Sequence, residues 1–243
     1  MLADARLHQD SIMLSRTVLI VVALLASTHL AGAQPATEAT PAPAATPAAP
    51  AASGSEAMED PQTGDHWTYE VHDDISGNLK STIIQTVTDV AAGNVGVRVT
   101  ALNNSNTGFL TYDPGWNVKN NGTWRYAPSD GTGISAPLTV GKTWHIKSND
   151  TNISANSTFR RTGTSKVTAK ESVTTTAGTF DAYKVETSIQ AVYVKDPSRK
   201  FQVIQTSWYA PEVNHWVKRS SETRIDGHVS DKSTVELIEY GRR

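Results

Sequence analysis

The chain has no cysteine among its 243 residues. That excludes disulfides, thiolate metal sites, a cysteine nucleophile and a lipid-modified N-terminal cysteine. It also lacks a dominant charge: 22 Lys+Arg stand against 24 Asp+Glu, a formal net charge of −2. Removing residues 1–33 takes away Arg6 and Arg16 together with Asp4 and Asp10, so the balance persists. A near-neutral chain offers neither the basic patch of a nucleic-acid partner nor a polybasic segment for a membrane surface. No Gly-x-Ser-x-Gly elbow, phosphate loop or dinucleotide fingerprint occurs. Long apolar runs are scarce as well, with one near the N-terminus.

That run has three parts in the order of a secretory signal peptide. Read from Met13, Arg16 is the positive region, and Thr17 to Ala26 is an apolar stretch too short to span a bilayer comfortably. Ala31-Gly-Ala33 is a small-x-small cleavage pattern. Residues 1–33 therefore read as a signal peptide cleaved after Ala33, with 1–12 an upstream extension, since the start lies at Met1 or Met13. Residues 34–63 are rich in Pro and Ala, with few large apolar side chains to offset the entropy of ordering. They read as a disordered, semi-stiff linker.

From residue 64 to 243 the hydrophobic period is two. In His66-Trp-Thr-Tyr-Glu-Val-His72, Trp67, Tyr69 and Val71 face one way and the polar residues the other, as in a half-buried strand. Similar runs are Ser81–Thr88, Val95–Thr100, Gly108–Tyr112, Thr143–Lys147, Ser165–Thr174, Phe180–Val192, Phe201–Tyr209, His215–Thr223 and Ser233–Tyr240. Between them lie Ser76-Gly-Asn, Ala92-Gly-Asn, Asn120-Asn-Gly, Ser129-Asp-Gly-Thr-Gly and Ile225-Asp-Gly, which suit tight reversals with positive φ. The expected fold is all-β: a large curved antiparallel sheet, a partly closed barrel or a two-sheet sandwich. Gly also precedes Trp by two or three residues at Trp67, Trp124 and Trp144, as where a turn feeds a strand led by a large aromatic.

Three segments carry a resemblance: Leu138-Thr-Val-Gly-Lys-Thr-Trp144, Thr176-Ala-Gly-Thr-Phe-Asp-Ala-Tyr-Lys-Val185 and Trp208-Tyr-Ala-Pro-Glu-Val-Asn-His-Trp-Val-Lys218. With the opening Gly64-x-x-Trp67-x-Tyr69 strand, they resemble the TapB-like family and related bacterial envelope domains of unknown function, including the domain-of-unknown-function 3108-like group. The resemblance implies an exported all-β domain in the cell envelope, periplasmic or secreted, and supplies no catalytic residues. Asn214 stands where the pattern leads one to expect Gly, and Asn also tolerates positive φ.

Candidate chemistry is thin. His66 and His72 share a strand face but lie about 20 Å apart at strand rise. Glu70 with His72 is half a metal site at most, and needs a third ligand such as His145, His215 or His228. A solvated polar face explains the pair more simply. Asp130-Gly-Thr-Gly133 reads as a turn. Tripeptides such as Asn121-Gly-Thr match glycosylation acceptors and, in a bacterial chain, mark only polar loops. No catalytic residue, cofactor or metal ligand is assigned.

Six Trp in a domain otherwise poor in aromatics point to apolar contact, with core packing as the competing use. Trp116, Trp124, Trp208 and Trp216 are the candidate contacts. The expectation is an exported envelope β domain, non-enzymatic, that binds an apolar or amphipathic ligand. The alternative is a structural or interaction module that binds an envelope protein or wall polymer through its sheet surface. No nucleic-acid partner is expected, nor a membrane span after signal cleavage.

Overall fold

The alternation that begins at Trp67 continues round a closed circuit of twelve strands. A computed structural model describes residues 58–242, so the signal peptide and most of the linker lie outside the described residues. The strands are β1 (His66–Asp73), β2 (Asn78–Ala91), β3 (Asn94–Ala101), β4 (Thr107–Tyr112), β5 (Val118–Asn120) and β6 (Trp124–Ala127). They continue with β7 (Thr143–Asn152), β8 (Ser157–Thr175), β9 (Gly178–Tyr193), β10 (Lys200–Ala210), β11 (His215–Ile225) and β12 (His228–Gly241). Each pairs antiparallel with its sequence neighbour, and β12 returns to β1, from His66 opposite Gly241 to Asp73 opposite Ser233. Among the open alternatives the fold is thus a barrel, fully closed, and closure leaves no free strand edge.

The turns behave as their residues dictate. Gly77, Ala92, Gly93, Gly122, Gly131, Asp226 and Gly227 all have positive φ, and Asn214 stands at φ 53°. Gly64, Gly122 and Gly141, which lead the three Gly–Trp strands, also have positive φ. The alternation read in Phe180–Val192 is broken once. Phe180 and Ala182 are buried, Tyr183 and Val185 are buried too, and the inward phase runs on through Thr187, Ile189 and Ala191. Opposite this stretch the β8 register shifts between Val167 and Ala169.

A barrel of this strand number has more interior than strand side chains alone fill, and two connections fold inward to fill it. In the β4–β5 turn, Asp113 Oδ1 accepts the amides of Gly115 and Asn117, and Trp116 turns into the barrel at φ 61°, 1% exposed. The β6–β7 connection sends Asp130, Ile134 and Leu138 inside. The two meet backbone to backbone. The amide of Ile134 donates to the Gly115 carbonyl (2.7 Å), and that of Gly133 to Asn117 Oδ1 (2.9 Å). A Cβ on Gly133 would lie 2.2 Å from the Gly115 carbonyl oxygen, so only glycine fits there.

In a meander barrel all odd-to-even turns share one rim and all even-to-odd turns the other. The even-to-odd rim holds the inward-folded connections and a core of Trp67, Tyr69, Tyr112, Trp116, Tyr209 and Trp216. At the odd-to-even rim a second cluster forms from Trp124, Ile146, Phe159, Ile189, Phe201 and Val203.

Candidate functional site

Register builds the middle of the lumen. Ser165 pairs with Thr187, Thr187 with Gln205, Gln205 with Ser221, Ser221 with Ser233 and Ser233 with Asp73. One row of polar residues therefore crosses five strands, β8 to β12, and ends at Asp73 on the rim, whose carboxylate accepts the Ile75 and Ser76 amides of the β1–β2 turn. Ser165 Oγ and Thr187 Oγ1 share a hydrogen bond of 2.8 Å, and Gln205 Nε2 donates to Ser207 Oγ (3.1 Å) and to the Thr132 carbonyl (3.1 Å). The next row, toward the aromatic end, is Val167, Val185, Ser207, Arg219, Val235 and Val71. It is apolar except where Ser207 and Arg219 meet.

Arg219 is the unusual member. Its guanidinium lies 3.5 Å over the Trp216 ring. Nε donates to Ser207 Oγ (2.9 Å) and Nη2 to the Thr132 carbonyl (3.3 Å), which ties the β6–β7 connection to β11. Among the described residues no carboxylate lies within ion-pair distance of it. Burial lowers its pKa to about 10, opposed by the fields of Tyr112, Asp130 and Tyr69. Although it points inward, Arg219 keeps part of its surface accessible, and Nη1, with no protein partner, is not sealed from solvent.

A second buried cation is neutralised. Arg161 Nε donates to Asp150 Oδ2 (2.6 Å), Arg161 Nη1 to the Asp130 carbonyl (3.2 Å), and Ser148 Oγ to Asp150 Oδ1 (3.2 Å). Burial raises the Asp150 carboxyl pKa, and the adjacent guanidinium works against that rise. Asp130, whose Oδ1 accepts the Val118 and Thr132 amides and whose Oδ2 accepts the Thr132 hydroxyl, is used up in shaping its own loop.

Below Arg219 lies the aromatic end. His215 is fully buried, stacked on Trp67 (centroids 4.4 Å, planes 20° apart) and edge-on to Trp116 (4.6 Å). Its Nδ1 meets the Tyr69 hydroxyl, which donates to the Trp216 carbonyl, so Nδ1 carries the proton and Nε2 is an acceptor. Burial, and secondarily Arg219, push the imidazole pKa well below its usual value. His215 Nε2 and Trp116 Nε1 have no hydrogen-bond partner.

The four Trp singled out from sequence separate. Trp116 and Trp216 join the aromatic end, with Trp216 backing Arg219; Trp124 packs edge-on to Phe159 at the other rim (6.0 Å). Trp208 lies between buried Ser207 and Tyr209 and donates to Glu171 (2.6 Å), with Lys184 over its ring (5.7 Å). Trp208 and Trp216 flank the β10–β11 reversal as expected but make no ring contact. His72 and Glu70 form a pair 3.3 Å apart, and His215 lies inside the barrel, away from them. Among the described residues no group of three His, Asp or Glu side chains is arranged to hold a metal ion.

The class is therefore an all-β, up-and-down twelve-stranded barrel, plugged and aromatic at one end and polar in the middle. In sequence, residues 134–224 match the family model described as DUF3108-like. The span runs from Ile134 of the plug almost to the end of β11. It contains all three motif segments and Arg219, while the opening Trp67 strand lies outside it. No curated protein matches the chain. Among solved structures it is similar to a candidate lipoprotein of Parabacteroides distasonis (TM-score 0.45, 17% identity, 76% of this chain and 100% of that one). It is also similar to an exported-protein candidate with a YmcC-like fold from Bacteroides fragilis (0.49, 14%, 76% and 99%). The third is the hypothetical lipoprotein YmcC of Escherichia coli (0.45, 8%, 74% and 86%). Likenesses this distant carry no argument about function.

Proposed function

We propose that the mature chain is an exported, non-catalytic envelope domain that holds an amphipathic ligand in the lumen of its barrel. One observation carries this reading: the polar row from Ser165 to Ser233 lies between apolar clusters toward both ends of the barrel. Polar positions in register between two apolar ends suit a molecule with a polar and an apolar part. Trp216 belongs to this site as the wall behind Arg219. The signal-peptide pattern in residues 1–33 supports export. Arg98, Lys147, Lys166 and Glu186 on the outer face support a barrel surrounded by water, since a lipid-facing barrel presents an apolar band. The non-catalytic part is supported by His215, whose pKa burial pushes well below its usual value and which lies fully buried against Trp67 and Trp116.

The test is native mass spectrometry of the mature protein, purified from periplasm without detergent, followed by solvent extraction. A stoichiometric amphipathic adduct is expected; an adduct-free mass that persists after incubation with periplasmic lipid extract overturns the reading.

A second reading, docking on an envelope protein, is favoured by the odd-to-even rim. Ile75, Leu102, Ile153 and Val194 stand exposed in its turns, with Leu79 and Val229 just beyond them. In-cell cross-linking from a photoreactive residue at Leu102 tests it, with a discrete protein adduct expected.

A further inference from the structure

The lumen is graded along its length. Toward the odd-to-even rim, the inward residues of β11 run Arg219, Ser221, Thr223, Ile225, and those opposite on β10 run Ser207, Gln205, Val203, Phe201. Polarity falls at each step, from a cation to hydroxyls and an amide, and then to an apolar collar that Phe159 and Ile189 complete. At the polar end stands a guanidinium with no carboxylate beside it. A buried cation is costly unless paired. Asp130, whose field reaches Arg219, is spent on amides and a hydroxyl of its own loop. A purely structural Arg219 would need only the Ser207 and Thr132 bonds made by Nε and Nη2. Nη1, with two further N–H donors, makes no bond to the protein. Its fork suits a planar carboxylate or a phosphate.

We propose that Arg219 is the anion anchor of the lumen, and that the ligand is an acidic amphiphile. Its carboxylate or phosphate pairs with the guanidinium against Trp216, its head group lies along Ser221 and Gln205, and its hydrocarbon runs out through the collar of Phe201, Val203, Ile189 and Ile225. This rests on the reading of the lumen as a ligand site, and adds the charge and orientation of what it holds.

The experiment is calorimetric titration of the purified chain with decanoate, decyl phosphate and decanol. An anionic head is expected to bind about tenfold or more tightly than decanol, since a charge-assisted bond replaces a neutral one. Comparison of the two anions tells carboxylate from phosphate as the preferred head. Arg219→Met is expected to bind all three alike, at the decanol level, and Arg219→Lys to keep a reduced preference. Equal binding of anions and decanol by the native chain overturns the anchor and leaves the lumen site standing; binding of none of the three overturns both. A preference that survives in Arg219→Met also overturns it. If that variant does not fold, the Arg219 Nε–Hε resonance of the native protein decides. A saturable shift with the anions and none with decanol is expected, and an unmoved resonance at saturating anion overturns the assignment.

Discussion

The Tyr69 hydroxyl sits 2.5 Å from Nδ1 of His215 and 2.9 Å from the carbonyl of Trp216, and so joins β1 to the start of β11 across the aromatic end. Tyr69 and His215 are 146 residues apart in sequence, and the link is fully buried. Tyr69→Phe removes it without changing shape and leaves an imidazole N–H and a carbonyl unpaired. A loss of about 1–3 kcal/mol is expected for groups stranded this way, read as a lower urea midpoint at unchanged slope.

His215 also makes stability depend on pH. In the folded protein burial keeps the ring neutral, so its pKa lies well below the ordinary 6.5 that the unfolded chain recovers. The unfolded state therefore binds more protons once the pH drops below that value, and acid favours unfolding. The contribution is fully present above about pH 6.5 and falls by up to about 1.4 kcal/mol per unit below it. Urea denaturation between pH 7.5 and 5 should show this decline, largely before the carboxylates titrate. His215→Gln should flatten it, and a native protein with no slope there would contradict the buried neutral imidazole.

Gly133→Ala tests the plug. The new methyl would meet the Gly115 carbonyl, the Asn117 amide nitrogen and the Trp116 carbonyl carbon, all backbone atoms within 2.5 Å. The two connections must part, at a cost of about 3 kcal/mol or more. The rings around Trp116 should then admit water. A red-shifted tryptophan emission with a lowered melting temperature is the expected signature.

For the buried ion pair, Arg161→Met strands the Asp150 carboxylate and should cost about 3–5 kcal/mol. The double variant Arg161→Met with Asp150→Leu removes both charges, and its loss should be well below that of the single change. Equal losses would mean that Asp150 contributes nothing through Arg161.

Ten of the twelve strands are legible in the sequence because Trp67-x-Tyr69-x-Val71 and its counterparts alternate in the open. The two that are not, Val118–Asn120 and Trp124–Ala127, hold three and four residues, too few to show a period. The plug is illegible for another reason. Residues 128–142 look like a polar, Gly- and Pro-rich loop, and locally they are one. What draws the loop inside is a set of donors from afar, Arg161, Gln205 and Arg219, that cover its carbonyls. Arg219 itself left a faint trace: counted back in twos from Thr223, it falls on the inward phase of β11, where a charge is out of place. Asn214 was legible as a tolerated positive-φ residue, but not its two bonds, from the Tyr209 hydroxyl and to the Glu59 carbonyl.

The polar row has a mechanical consequence. Its five members inside the barrel are contributed by consecutive strands from β8 round to β12, so each is fixed relative to the next by ladder hydrogen bonds rather than by a loop. A molecule that touched Ser221 and Gln205 would be measured against a ruler that cannot flex. Its length could vary freely toward the collar, while its head would be held to the tolerance of a single peptide unit.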